Sequence, residues 1–235
     1  MNKYVEFVSD EIFREEVKKV LDSYPDENQK ILEPVDLLKK SKSGLDEFKI
    51  MFDMCNNGLT FKEWTDAEIV RQNGKSVENK MGEFHQQLLG RVEGWEDLGI
   101  GDNSHVDLKN KERHIYIELK NRKNTTNGDS GKAVRQKLEK IIEEDSEAVA
   151  YWAYIIHGTY KSENTLWSKK GFEDNERIRR ISCDKVYELV TGDPNALKKT
   201  FDAIPIAISD ILNKKIEFSD EDKKLINEYK EYIFD

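Results

Sequence analysis

Three side chains that lie close together in the chain, Asp107, Glu118 and Lys120, have the types and spacing for hydrolytic chemistry. Ile115, Ile117 and Leu119 alternate with Tyr116, Glu118 and Lys120, the period of two that sets Glu118 and Lys120 on one face of a strand. Val106-Asp107-Leu108 reads as a preceding strand, joined to it by a turn over Asn110 to Arg113. Such a turn places Asp107 opposite Tyr116 and makes it a diagonal neighbour of Glu118, about 7–8 Å away between backbones. Two carboxylates and an ammonium on one patch of sheet suit metal-assisted phosphodiester hydrolysis. Mg²⁺ prefers one or two carboxylates, completed by waters and phosphate oxygens, and Asp107 and Glu118 would hold it. Lys120 would orient the attacking water or neutralise developing charge. In a chain that is 36% charged, an acid-x-base triplet alone more readily describes an ordinary strand surface, so the surroundings must decide.

Downstream lies a polar, basic run, Asn121-Arg122-Lys123-Asn124-Thr125. Asp107 followed by Glu118-Leu119-Lys120 resembles the PD-(D/E)XK nuclease signature, with Val106 where that signature has Pro. The wider run from Ile117 to Thr125 is similar to type II restriction endonucleases of the group cutting GGNCC-type sites, a likeness carried by roughly residues 76–140. The resemblance implies a restriction-endonuclease-like α/β core and Mg²⁺-dependent cleavage of double-stranded DNA at a short palindrome, leaving 5′-phosphate ends. It further implies a homodimer with one active site per strand, and a cognate DNA methyltransferase as genetic partner. The alternatives left standing are a repair or recombination nuclease of the same superfamily and a non-catalytic DNA-binding module.

The net charge of −9 at first argues against nucleic acid, which is held through Lys and Arg. Its distribution argues otherwise: residues 109–140 carry ten Lys/Arg against four Asp/Glu, a net of +6 that leaves −15 for the rest. Asn121, Arg122, Lys123, Asn124, Lys132 and Arg135 are therefore the expected DNA contacts, each singly also readable as a solvated polar face. With the GGNCC-type site that the resemblance implies, Arg177, Arg179 and Arg180, with Lys169 and Lys170, are the candidate readers of guanine edges, although each singly reads more readily as part of a solvated basic loop.

The elements that must position these groups follow from periodicity. Residues 1–55 read as helices separated by turns, a second helix starting near Pro34; at 13 acids to 9 bases this segment suits packing or dimerisation rather than phosphate. Residues 56–235 then form the nuclease domain. A helix over 60–72 is expected to break at Asn73-Gly74-Lys75, with Ser76 capping a new helix over 77–91. In the nuclease superfamily a helix before the motif hairpin often adds an acidic, His or Gln side chain to the site. Glu78 would fit that role, supported by His85 and Gln86 and with Glu83 in reserve; the same residues fit the polar flank of an amphipathic helix equally well. A helix over 131–145, the apolar strand 148–156, a short strand at 177–183, a helix capped by Asp184 and two further helices complete a mixed β-sheet flanked by helices. Cys55, Cys183 and the four histidines have no metal-ligand spacing, no apolar run approaches a membrane span, and the start is not a signal peptide, so a soluble cytoplasmic protein is expected.

Overall fold

Alternation in the sequence becomes strand in the computed structural model, which describes residues 2–25, 45–99, 106–122, 128–156 and 161–234. The strands are β1 (Glu96–Asp97), β2 (Leu108–Asn110), β3 (Ile115–Arg122), β4 (Val149–Ile156), β5 (Asn164–Leu166) and β6 (Ile178–Ser182). They form one mixed sheet in the order β1-β2-β3-β4-β6-β5. β2 pairs antiparallel to β3, whereas β3, β4 and β6 run parallel, so β4 sits at the centre as its apolar run requires. The helices are α1 (Asp10–Leu21), α2 (Glu47–Asn57), α3 (Phe61–Gly90), α4 (Gly128–Glu144), α5 (Cys183–Thr191), α6 (Ala196–Leu212) and α7 (Asp220–Phe234). None of the described helices is long and apolar enough to cross a membrane.

α4 presents Val134, Leu138, Ile141 and Ile142 to Ala150, Trp152, Tyr154, Trp167 and Ile178, which form a closed apolar cluster on one face of the sheet. Asn121 points to the other face by strand alternation, and its Cβ lies 3.6 Å from where a Cβ on Gly82 would stand, so the end of α3 covers that second face. At Gly90 a Cβ would come within 2.5 Å of the Asp97 Cβ, so only glycine lets α3 end against β1.

Two compact units emerge, one of residues 1–19 with 81–235 and one of residues 20–80. This differs from a boundary at residue 55, because the chain start is tied into the sheet unit: Lys3 and Tyr4 both donate to Asp210, and Phe13 is fully buried. The expected helix near Pro34 lies outside the described residues. The expected break at Asn73-Gly74-Lys75 does not occur, and α3 runs through it. One helical glycine costs only about 1 kcal/mol, and Ser76 donates back to the Gln72 carbonyl at 3.2 Å instead of capping a new helix. Asp184 likewise is no cap: α5 starts at Cys183, and Asp184 accepts from the Ser182 and Ser162 hydroxyls.

Candidate active site

Asp107 stands immediately before β2, its N–H donating to the Ile117 carbonyl and its own carbonyl accepting from Leu98, both at 3.0 Å. The register pairs Leu108 with Ile117 and Lys109 with Tyr116, so continuing it puts Asp107 level with Glu118, not diagonal to it. The turn occupies Lys111 to His114 rather than Asn110 to Arg113, with His114 at φ 51°. The shift is an even number of residues, so Asp107 keeps the face expected of it and comes closer to Glu118.

Glu118 and Lys120 pair with Trp152 and Tyr154 of β4, which places them on the face covered by α4. Glu118 is only 3% exposed, and a buried carboxylate needs partners. Lys120 Nζ holds its Oε1 at 2.6 Å, and Lys137 Nζ, reaching down from α4, holds its Oε2 at 2.6 Å. Lys137 escaped the sequence reading beyond its contribution to the basic window. Its position just before the buried Leu138, at the edge of the α4 apolar stripe, is the signal that could have singled it out.

Asp107 Oδ2 accepts the Leu119 N–H at 2.6 Å. Burial and then the neighbouring Glu118 charge nevertheless push the Asp107 carboxyl up to about 6, against the pull of that N–H and of Lys120 and Lys137. Burial works against the Lys120 ammonium, but the hydrogen bond and charge of Glu118, with the charge of Asp107, raise its pKa. Two carboxylates pressed together with their repulsion incompletely offset are the donor chemistry of a hard divalent cation. Among the described residues, no third His, Cys, Asp or Glu joins them.

The remaining expected residues divide. Arg122 ends β3 exposed, Lys132 is exposed on α4, and Asn121 is half-buried against Gly82. Lys123 and Asn124 lie outside the described residues. Arg135 is a correction: it is fully buried, its guanidinium donating to the Trp167 and Glu173 carbonyls at 2.6 Å each, so it offers phosphate no surface. The arginines expected to read bases, at and just before β6, make hydrogen bonds within the chain. Arg177 binds the carbonyls of Ile142, Asp145 and Ser146 at the end of α4, Arg179 binds Asn164, and Arg180 binds Glu163. Lys169 is half-buried and Lys170 exposed.

Of the helix candidates, His85 and Gln86 are engaged away from the carboxylates. His85 Nδ1 lies 2.8 Å from the Tyr187 hydroxyl, and Gln86 donates to Asp97 at 2.7 Å. Burial lowers the His85 pKa to about 4, so the ring is neutral at pH 7. Glu83 is exposed, and Glu78, also exposed, lies in the part of α3 that belongs to the second unit.

Asp107, Glu118 and Lys120 thus share one sheet face, beneath a helix that brings down a second lysine. The chain is 32% identical over 225 residues to the type II restriction enzyme Sau96I of Staphylococcus aureus, spanning 91% of this chain and 83% of that one. It is 35% identical over 225 residues to the type II restriction enzyme Eco47II of Escherichia coli, spanning 90% of each. The model of the Eco47II restriction endonuclease family matches residues 5–213, from the chain start through α6 and so across the whole sheet. The chain belongs to the Eco47II restriction endonuclease family, and its activity is site-specific cleavage of DNA.

Proposed function

We propose that this site-specific deoxyribonuclease is Mg²⁺-dependent, that Asp107 and Glu118 hold the ion, and that Lys120 is the catalytic lysine. The observation supporting it is the shared placement of the three groups on the α4 face of β2 and β3, with Asp107 level with Glu118. When bound, Mg²⁺ would polarise the scissile phosphate and lower the pKa of a water in its shell. Lys120, charged and one-third exposed, keeps donors beyond its Glu118 bond to orient that water and stabilise charge on the phosphate oxygens. The Leu119 N–H fixes the Asp107 carboxylate, and the Lys120 and Lys137 ammoniums fix that of Glu118.

Arg122 and Lys132, with Asn121 alongside and Lys123 and Asn124 from the continuing chain, would contact the DNA backbone; charge there favours binding whatever the base sequence. The target in this reading is a palindrome of the GGNCC type. Two-fold symmetry of the site then calls for a homodimer, and protection of host DNA calls for a cognate methyltransferase. Glu78 enters on its sequence position alone.

A plasmid of known sequence, incubated with the protein and Mg²⁺, tests this. Discrete fragments whose sequenced ends fall within GGNCC, abolished by chelator, are expected, together with loss of cutting in Lys120→Ala. Cutting undiminished by chelator, or by Lys120→Ala, would overturn the mechanism, and ends lacking flanking GG and CC would overturn the site alone.

A further inference from the structure

The second ammonium on Glu118 has no place in the chemistry given so far. α4 carries lysines at 132, 137 and 140, and two of them face outward: Lys132 is exposed, and Lys140, at 68% side-chain exposure, pairs only loosely with Glu144 at 3.7 Å. Lys137 turns inward instead. Its side chain is 24% exposed, and its tip reaches the sheet, where it takes the Glu118 oxygen that Lys120 does not. A surface ion pair would be a weak feature, but this one ends on a carboxylate with almost no solvent of its own.

Charge accounting gives the pair a purpose. Asp107 and Glu118 carry two negative charges, and Lys120 and Lys137 carry two positive ones, so the metal-free site is neutral. Both Glu118 oxygens already receive a charge-assisted hydrogen bond, and one Asp107 oxygen receives the Leu119 N–H. A divalent cation arriving at this patch meets carboxylates already hydrogen-bonded through both Glu118 oxygens and Asp107 Oδ2, and two ammoniums that repel it.

We propose that Lys137 is a positioning residue that occupies Glu118 Oε2 in place of the cation, so that metal and the Lys137 ammonium compete for one carboxylate. The inference rests on the reading of Asp107 and Glu118 as metal ligands. Held this way, Glu118 keeps one orientation without metal, and divalent binding is weak until DNA adds phosphate charge to draw the ammonium away. Lys120 cannot serve in this role, because its position on the same strand ties it to the other oxygen. A carboxylate paired by one lysine alone would bind the cation more tightly but would leave Oε2 without a donor in the free protein.

The test is calorimetric titration of the DNA-free full chain with Ca²⁺ alone. Lys137→Gln keeps a donor for Oε2 and removes the charge; it should tighten Ca²⁺ binding by roughly tenfold, the size of one charge-assisted hydrogen bond lost to the competition. Lys137→Arg should restore wild-type affinity, and Lys137→Met, with matched length and no donor, should tighten binding as Lys137→Gln does. Unchanged or weaker Ca²⁺ binding in Lys137→Gln and Lys137→Met would overturn the competition. Asp107→Asn and Glu118→Gln separate the premises. If both abolish Ca²⁺ binding while Lys137→Gln matches wild type, only the role of Lys137 falls; if neither alters it, the metal reading falls and takes this inference with it.

Discussion

Beneath α4 the sheet buries charges in matched sets: Glu118 between Lys120 and Lys137, and Arg135 against two backbone carbonyls and Glu139. On the opposite face, where α3 meets α5, it buries a titratable ring without any charge. His85 packs edge-on to Phe84 and Tyr187 and hydrogen-bonds the Tyr187 hydroxyl, and burial keeps it unprotonated. Both faces enclose polar groups, but the α4 face gathers two carboxylates and two ammoniums at one point, whereas the His85 pocket holds an uncharged pair of rings. Enclosing a charge demands a partner of fixed geometry, whereas enclosing a neutral ring demands only a hydrogen bond.

The sharpest way to break this contrast is to neutralise the charged face. Asp107→Asn and Glu118→Gln should each lower the cleavage rate by roughly a thousandfold or more, measured in single-turnover digests, while leaving the fold intact. Asp107→Asn should also raise the melting temperature of the metal-free protein above pH 6 by a few degrees, because it removes a buried charge and, with it, the repulsion from Glu118. Cleavage near the wild-type rate in either variant would remove that residue from the chemistry.

Next in size is Arg135→Leu. It leaves the Trp167 and Glu173 carbonyls without their donor and should cost about 3 kcal/mol in urea unfolding. The salt dependence of DNA binding should be unchanged in the same variant, because a buried guanidinium releases no counterion; a slope lowered by about one unit would return Arg135 to the DNA surface.

The smallest effect is also the most discriminating, because acid should act with opposite sign on the two faces. The Asp107 pKa is raised when folded, so the native state takes up its proton first and gains stability as pH falls through about 6 towards the ordinary carboxylate range. The His85 pKa is lowered to about 4, so the unfolded chain protonates first and stability is lost as pH falls below 6.5, on the order of 2 kcal/mol by pH 4.5. His85→Gln, which can still bond Tyr187, should remove that acid loss, and Asp107→Asn should remove the acid gain. Urea midpoints at pH 7 and 4.5 read both, and a His85→Gln profile parallel to wild type would show that the ring is not held neutral.

How much of this could be read from the sequence depended on whether the signal was local. Alternation through Ile115 to Lys120 fixed a strand and its facing, and the apolar run at 149–156 fixed the centre of the sheet. The hairpin register was misjudged by two residues because the turn takes in His114 at positive φ, a conformation that histidine rarely signals. The site survived because strand facing repeats every two residues. β1 and β5, at two and three residues, carry too little pattern to be seen. Lys137 was missed because it meets Glu118 only through the docking of α4 on the sheet, and Arg135 was misassigned because its partners lie at Trp167 and Glu173, far along the chain.

The borders of the sheet bear on how two such chains could meet. One border is β1, which is nothing but Glu96 and Asp97, both exposed; the other is β5, three residues from Asn164 to Leu166. Strands so short, one of them doubly anionic, give an incoming strand few backbone groups to grip and repel a second copy of themselves. Among the described residues both borders of the sheet therefore disfavour edge-to-edge fusion, the route to continuous ribbons and fibrous aggregates.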